Sequence, residues 1–102
     1  MILESQIKNH FLVHPNPILS DRLERKFAKK GIEIRSAIHN LRKEGFPICS
    51  GAKGYWLAEN PQELDATIQN LIEREAGIRI ARKGLQKAKY EYFEDKKQRR
   101  LF

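Results

Sequence analysis

From Pro61 almost to the end, the chain keeps a helical composition, and a helix of that length is hard for the preceding residues to absorb. Continuous from Pro61 to Arg99, it would extend roughly 58 Å at about 1.5 Å per residue. A domain made from the first 60 residues cannot cover that length, so the surplus must project, pair with another chain, or be loosely ordered. Gly77 and Gly84 weaken the pattern, each by about 1 kcal/mol relative to alanine. The segment is therefore either one long helix or two pieces hinged at a glycine. Its apolar positions are Leu64, Ile68, Leu71, Ile72, Ile78 and Leu85, a longer stripe than one small domain needs. That surplus points to a homodimer. The competing reading is that the first half joins the domain core and the rest frays.

The residues before Pro61 are cut into short elements. Leu3, Ile7 and Phe11 recur at four-residue spacing, with Ile2 near the same face, which predicts a helix from Ile2 to about Leu12. The run His14-Pro15-Asn16-Pro17 ends it, because each proline removes a donor and pushes the residue before it toward extended backbone. Ile18 and Leu19 then read as a very short extended piece. Ser20 is placed as the N-cap of a second helix, with Asp21 in its first turn and Leu23, Phe27 and Ala28 facing inward. Gly31 is expected to close it. Ile34, Ala37, Ile38 and Leu41 form the stripe of a third helix, from about Glu33 to Glu44, which Gly45 stops.

After Gly45 the period changes. Phe46, Ile48 and the stretch Tyr55 to Ala58 have strand character around the turn-rich Ser50-Gly51-Ala52-Lys53-Gly54, predicting a β-hairpin with a basic tip. Tyr55 and Trp56 alternate faces, and the core position is assigned to Trp56. Asn60 caps the next helix, with Pro61 at its first position and Glu63 in its first turn. The organisation expected is a domain over 1–60, a helix over 61–97 for dimerisation or tail display, and a short peptide motif over 98–102.

Charge supplies the first functional clue. The chain of 102 residues carries 20 Lys and Arg against 13 Asp and Glu, a net charge of +7. A small basic domain suits a polyanionic partner, most often nucleic acid. Basic groups exceed acidic ones in all three thirds, so the charge lies on structured faces rather than in one tail. No apolar run approaches the roughly 18 residues of a membrane span. The start of the chain shows no secretory signal pattern. The single cysteine, Cys49, excludes an internal disulfide framework. A cytoplasmic protein with no membrane partner is the expectation. Cys49 with His10, His14 and His39 makes no metal site by spacing, and Cys49 is read as a small buried hydrophobe. No nucleophile–base pair, phosphate loop or HExxH motif is present, so no enzyme activity, cofactor or metal is expected.

The order helix, short strand, helix, helix, hairpin, helix is that of a winged helix-turn-helix: mainly α with a small β-hairpin wing, followed by a long C-terminal helix. The stretch SDRLERKFAKKGIEIRSAIHNLRKEGFPICSGAKGYWL resembles the winged-helix domain of the biotin-repressor type and its phage or prophage relatives. The features that carry the resemblance are the Ser20 cap, the turn at Gly31-Ile32, the run IRSAIHNLRKEG and the ending GAKGYWL. It covers about residues 2–60. It implies that the third helix enters the major groove of double-stranded DNA and that the wing touches the flanking backbone.

The residues themselves point the same way. Once the inward stripe is removed, the third helix leaves Arg35, Ser36, His39, Asn40, Arg42 and Lys43, types that read base edges or hold phosphate. Arg35 suits guanine and Asn40 adenine, while Arg42 and Lys43 suit phosphates. His39 can do either job or neither. Lys53 at the wing tip is the expected phosphate contact, with Lys29 and Lys30 also in reach of the backbone. Against this stands the ordinary solvated helix face. Glu33 is also a departure, since a carboxylate in the groove repels phosphate unless it caps the helix or accepts from cytosine.

The final residues, Gln98-Arg99-Arg100-Leu101-Phe102, resemble the peptide by which bacterial replication and repair proteins bind the sliding clamp. In that resemblance Gln98 makes a hydrogen bond while Leu101 and Phe102 fill an apolar pocket. The leading expectation is a phage-type transcriptional regulator. The alternatives are a replication accessory recruited to the clamp and a protein-interaction adaptor that reads no base.

Overall fold

The computed structural model describes residues 2–100, with side chains described to residue 93. The elements are α1 (Ile2–Val13), α2 (Ser20–Phe27), α3 (Gly31–Lys43), β1 (Ile48–Gly51), β2 (Gly54–Leu57), a 3-10 turn (Pro61–Glu63) and α4 (Leu64–Arg100). The fold is mainly helical, with a two-stranded antiparallel hairpin and a long C-terminal helix. The chain divides into two compact units, Met1–Thr67 and Ile68–Phe102.

In the first unit, α1, α2 and α3 enclose one core. Ile7, Phe11, Leu23, Ile34, Ala37, Ile38, Leu41 and Ile48 are all buried there, and Leu3, Ile18, Phe27, Phe46, Tyr55 and Leu57 pack around them. Full burial of a large apolar side chain contributes about 1.5–3 kcal/mol, so these few residues hold the three short helices. Isolated helices of this length would be marginal in water.

The boundary between α2 and α3 differs from the sequence expectation. The N-cap of α2 is Leu19, and Ser20 is its first helical residue, with no side-chain cap. Gly31 does not close α2. The closing residue is Ala28, in the left-handed conformation at φ 52°, while Lys29 N–H donates to Glu24 O at 3.0 Å. Ala28 is therefore exposed rather than inward. Gly31 instead opens α3 behind the extended N-cap Lys30. Glu33 Oε2 accepts from the Lys30 backbone N–H at 2.9 Å. Its carboxylate thus caps the helix, the role that reconciles an acidic residue with a basic surface.

Gly45 ends the α3 region at φ +92°. The hairpin then pairs Ile48 with Leu57, Cys49 with Trp56 and Ser50 with Tyr55. Ile18 forms a bridge to the outer side of β2: its N–H donates to Tyr55 O at 2.8 Å, and Tyr55 N–H returns to Ile18 O at 2.9 Å. Gly54 allows this close approach. Its φ is +100°, and a Cβ there would lie 2.1 Å from Ile18 O. The alternation also resolves the aromatic pair against expectation. Tyr55 packs on the core, while Trp56 is half-buried on the opposite face, its ring over Gly51.

Asn60 caps the 3-10 turn, its Oδ1 accepting from Glu63 N–H at 3.0 Å. The first turn of α4 still belongs to the first unit, which reaches Thr67 rather than ending near residue 60. Thr67 is only 5% exposed. Its Oγ1 accepts from Ser50 N–H at 3.1 Å and donates to Ser50 O at 3.4 Å. Beyond it α4 runs on without a break at Gly77 or Gly84, so the two-piece alternative falls away. In the second unit Ile68, Leu71 and Ile72 are all exposed.

Candidate nucleic-acid interface

The geometry of α3 follows from its buried stripe. At about 100° per residue, Ile34, Ala37, Ile38 and Leu41 turn one side inward. Ile32, Ser36, His39 and Lys43 then form the line farthest from the core, and all four are exposed. Arg35 lies on one flank of this line and is exposed too. Its guanidinium rests by Gly31 and near the Glu24 carboxylate, each close to where a Cβ on Gly31 would be.

Two of the expected base or phosphate contacts are instead used by the fold. Asn40 is half-buried, and its Nδ2 donates to Glu4 Oε1 of α1 at 3.0 Å. That hydrogen bond is the main reason the Glu4 carboxyl titrates below its usual range. An amide held there has lost the free fork that adenine requires. Arg42 is half-buried and clamps the hairpin: Nε donates to Ile48 O at 3.0 Å and Nη2 to Ser50 Oγ at 3.0 Å. A charged donor in such bonds contributes about 1.5–3 kcal/mol to holding the hairpin on α3.

Lys29 and Lys30 stand exposed in the turn that leads into α3, and Lys53 is exposed at the hairpin tip. The structure thus presents Arg35, Ser36, His39, Lys43, Lys29, Lys30 and Lys53 to solvent and withdraws Asn40 and Arg42. Gln98 falls within α4, but its side chain lies outside the described residues, as do Leu101 and Phe102 entirely.

Ile32 was missed by pattern reading. It sits on the outer line of α3 and is 68% exposed. The signal was legible in the sequence, because Ile32 falls outside the stripe set by Ile34, Ala37, Ile38 and Leu41. Placing the start of the helix at Glu33 concealed it. Ile32 also borders an open groove of about 420 Å³ between α1 and α3, lined by Ile2, Leu3, Glu4, Glu33 and Ser36 among others.

Cys49 is buried, its thiol is pushed up by burial, and Sγ donates to Glu63 O at 3.4 Å. His10 is buried between the aromatic rings of Phe11 and Phe27 and hydrogen-bonds the Lys26 ammonium through Nδ1. Burial first, then the charges of Lys26 and His14, hold its imidazole below the usual value of 6.5. Among the described residues no group of three or more His, Cys, Asp or Glu could hold a metal ion. No described helix is long and apolar enough to cross a membrane. No family model matches the chain, and no curated protein or solved structure matches it either.

Proposed function

We propose that the unit Met1–Thr67 binds double-stranded DNA, with α3 in the major groove and the hairpin tip against the phosphate backbone, and that the protein is a small transcriptional regulator of phage or prophage type. The observation that carries this reading is the outer line of α3. Four side chains face solvent there with Arg35 beside them, on a helix whose opposite stripe supplies half of the core. The exposed cations Lys29, Lys30 and Lys53 and the net charge of +7 support it. So does the resemblance of residues 20–57 to biotin-repressor-type winged helices. In this reading Arg35 forks onto guanine, Ser36 and His39 meet base edges, and Lys43, Lys53, Lys29 and Lys30 hold phosphates. Asn40 and Arg42 take no part.

One observation favours a second reading. The groove between α1 and α3 is apolar at Ile2, Leu3 and Ile32 and carries Glu4 and Glu33 beside Lys29, a mixed surface that also suits a protein partner. In that reading the unit is an interaction adaptor or a replication accessory. In either reading α4 and the sequence QRRLF are left for protein partners, the sliding clamp or a second copy of the chain.

Selection of bound duplexes from a random pool at physiological salt separates the two. The DNA reading expects an enriched motif and affinity that falls steeply with salt. Arg35→Ala should then cost about 1–3 kcal/mol and relax preference at one base pair. Weak binding without sequence preference would reject the DNA reading and move attention to the α1–α3 groove.

A further inference from the structure

Residues 76–90 of α4 include five basic residues and no acidic one: Arg79, Arg82, Lys83, Lys87 and Lys89. All five are exposed. At about 100° per residue they fall within roughly 160° of the helix circumference. Arg79, Lys83 and Lys87 stand four apart, so like charges stack on successive turns, rising about 6 Å at each step. Arg79 and Arg82 are neighbours three apart as well. Such pairs weaken a helix, whereas a helix face built for solvent laces acidic and basic residues at this spacing. Gly77 and Gly84 weaken the same segment. Among the described residues Arg79, Arg82 and Lys83 make no ion pair, even with Glu75 one turn before Arg79, and Lys87 reaches Glu91 Oε2 at 3.9 Å.

We propose that this basic face of α4 holds the phosphate backbone of double-stranded DNA. Charge complementarity selects the partner. Duplex DNA carries about one negative charge per 1.7 Å of axis, so the roughly 15 Å of helix over residues 79–89 runs past about nine phosphates. A single-sign row on a stiff helix matches that density, and the phosphates relieve the repulsion within it. Single-stranded nucleic acid is held by aromatic side chains set among the cations, and none lies between Arg79 and Lys89. A membrane surface takes a broad apolar face opposite the cations. Of the seven positions across this stretch of helix, the four Gly77, Ala81, Gly84 and Ala88 are small.

Contacts to the backbone alone add affinity without sequence preference. The face lies in the second unit and needs neither α3 nor the hairpin, so it goes beyond the reading of the first unit. It leaves the side of α4 with Ile78 and Leu85 to a protein partner.

The test titrates the full chain with a mixed-sequence duplex that holds no selected site, by fluorescence anisotropy across a salt series. The triple variant Arg79→Gln, Lys83→Gln, Lys87→Gln removes three phosphate contacts and should reduce the slope of log affinity against log salt by about 2 to 3. Its helical circular-dichroism signal should hold or rise, since glutamine suits a helix and the repulsion is gone. Lys83→Gln alone, too mild to disturb the fold, should lower the slope by about 0.9. Arg74→Gln removes a charge from outside this face and should leave the slope as it is. An unchanged slope in the triple variant would overturn the proposal. So would an equal loss per charge in Arg74→Gln. If the triple variant loses binding to vesicles of equal parts phosphatidylserine and phosphatidylcholine while its duplex slope is intact, the face belongs to a membrane surface instead. The two DNA readings fail separately. If α3 reads no base, duplex selection yields no motif while the triple variant still flattens the salt series. If the α4 face is idle, a selected motif survives and the triple variant changes nothing.

Discussion

Ala28 is the one non-glycine residue with positive φ among the described residues, and it carries the turn between α2 and α3. A left-handed conformation costs an alanine about 1–2 kcal/mol that glycine escapes. Since Ala28 is exposed, Ala28→Gly should raise stability by about 1 kcal/mol in thermal or urea unfolding, after glycine's greater unfolded-state entropy is set against it. His10 makes stability depend on pH. Its folded-state value lies below the usual 6.5, chiefly through burial, so the unfolded chain binds more protons as the pH falls through that region. Stability is therefore full above that value and declines as the pH drops toward the lowered folded value. A melting series from pH 8 to 5 should show this fall, and His10→Gln should flatten it. At Ile32 the expectation concerns the ligand. In the DNA reading, an exposed isoleucine here would meet thymine methyls in the major groove. Replacing thymine by deoxyuridine in a selected site should weaken the native protein and leave Ile32→Ala nearly indifferent. Equal loss in both would remove Ile32 from the interface. Its exposure was implicit in the helical period, whereas the engagement of Asn40 by Glu4 was not. Those residues are 36 positions apart, and only the packing of α1 on α3 brings them together.

At the scale of elements, Arg42 shows why a polar helix face is an incomplete guide to a binding surface. By type and position it suits phosphate, yet its guanidinium ties α3 to β1 through Ile48 O and Ser50 Oγ. Arg42→Ala should cost about 1.5–3 kcal/mol of stability, from the loss of charge-assisted bonds in a partly buried setting. A DNA contact alone would leave unfolding unchanged, so denaturation without any ligand decides between the roles. The hairpin likewise depends on a distant segment, since Ile18 extends it across the outer side of β2. That explains why an isolated extended pair after two prolines persists: its backbone groups have partners. The helix periods, the hairpin and the Asn60 cap were all legible in local pattern. The α2–α3 turn was not, because glycine's usual role as a stop competed with Ala28 closing the helix three residues earlier.

For the whole molecule, the DNA reading places separate cations on phosphate, and salt measures how many take part. Lys53→Ala should weaken binding about equally on all sequences and reduce the slope of log affinity against log salt by about 1. An unchanged slope would free the hairpin tip from that role. The sequence alone determined the class of fold, because three amphipathic stripes, a turn-rich hairpin and a long tail of helical composition are all local patterns. It also determined the basic character that makes a polyanion a reasonable partner. Tertiary structure decided which polar residues on α3 remain available, that Tyr55 rather than Trp56 joins the core, and that the first unit reaches Thr67. It also decided that the stripe on α4 stays exposed beyond that point. Each of these depends on contacts between residues far apart in the chain, where burial and hydrogen bonding override what a side chain's type and local spacing suggest.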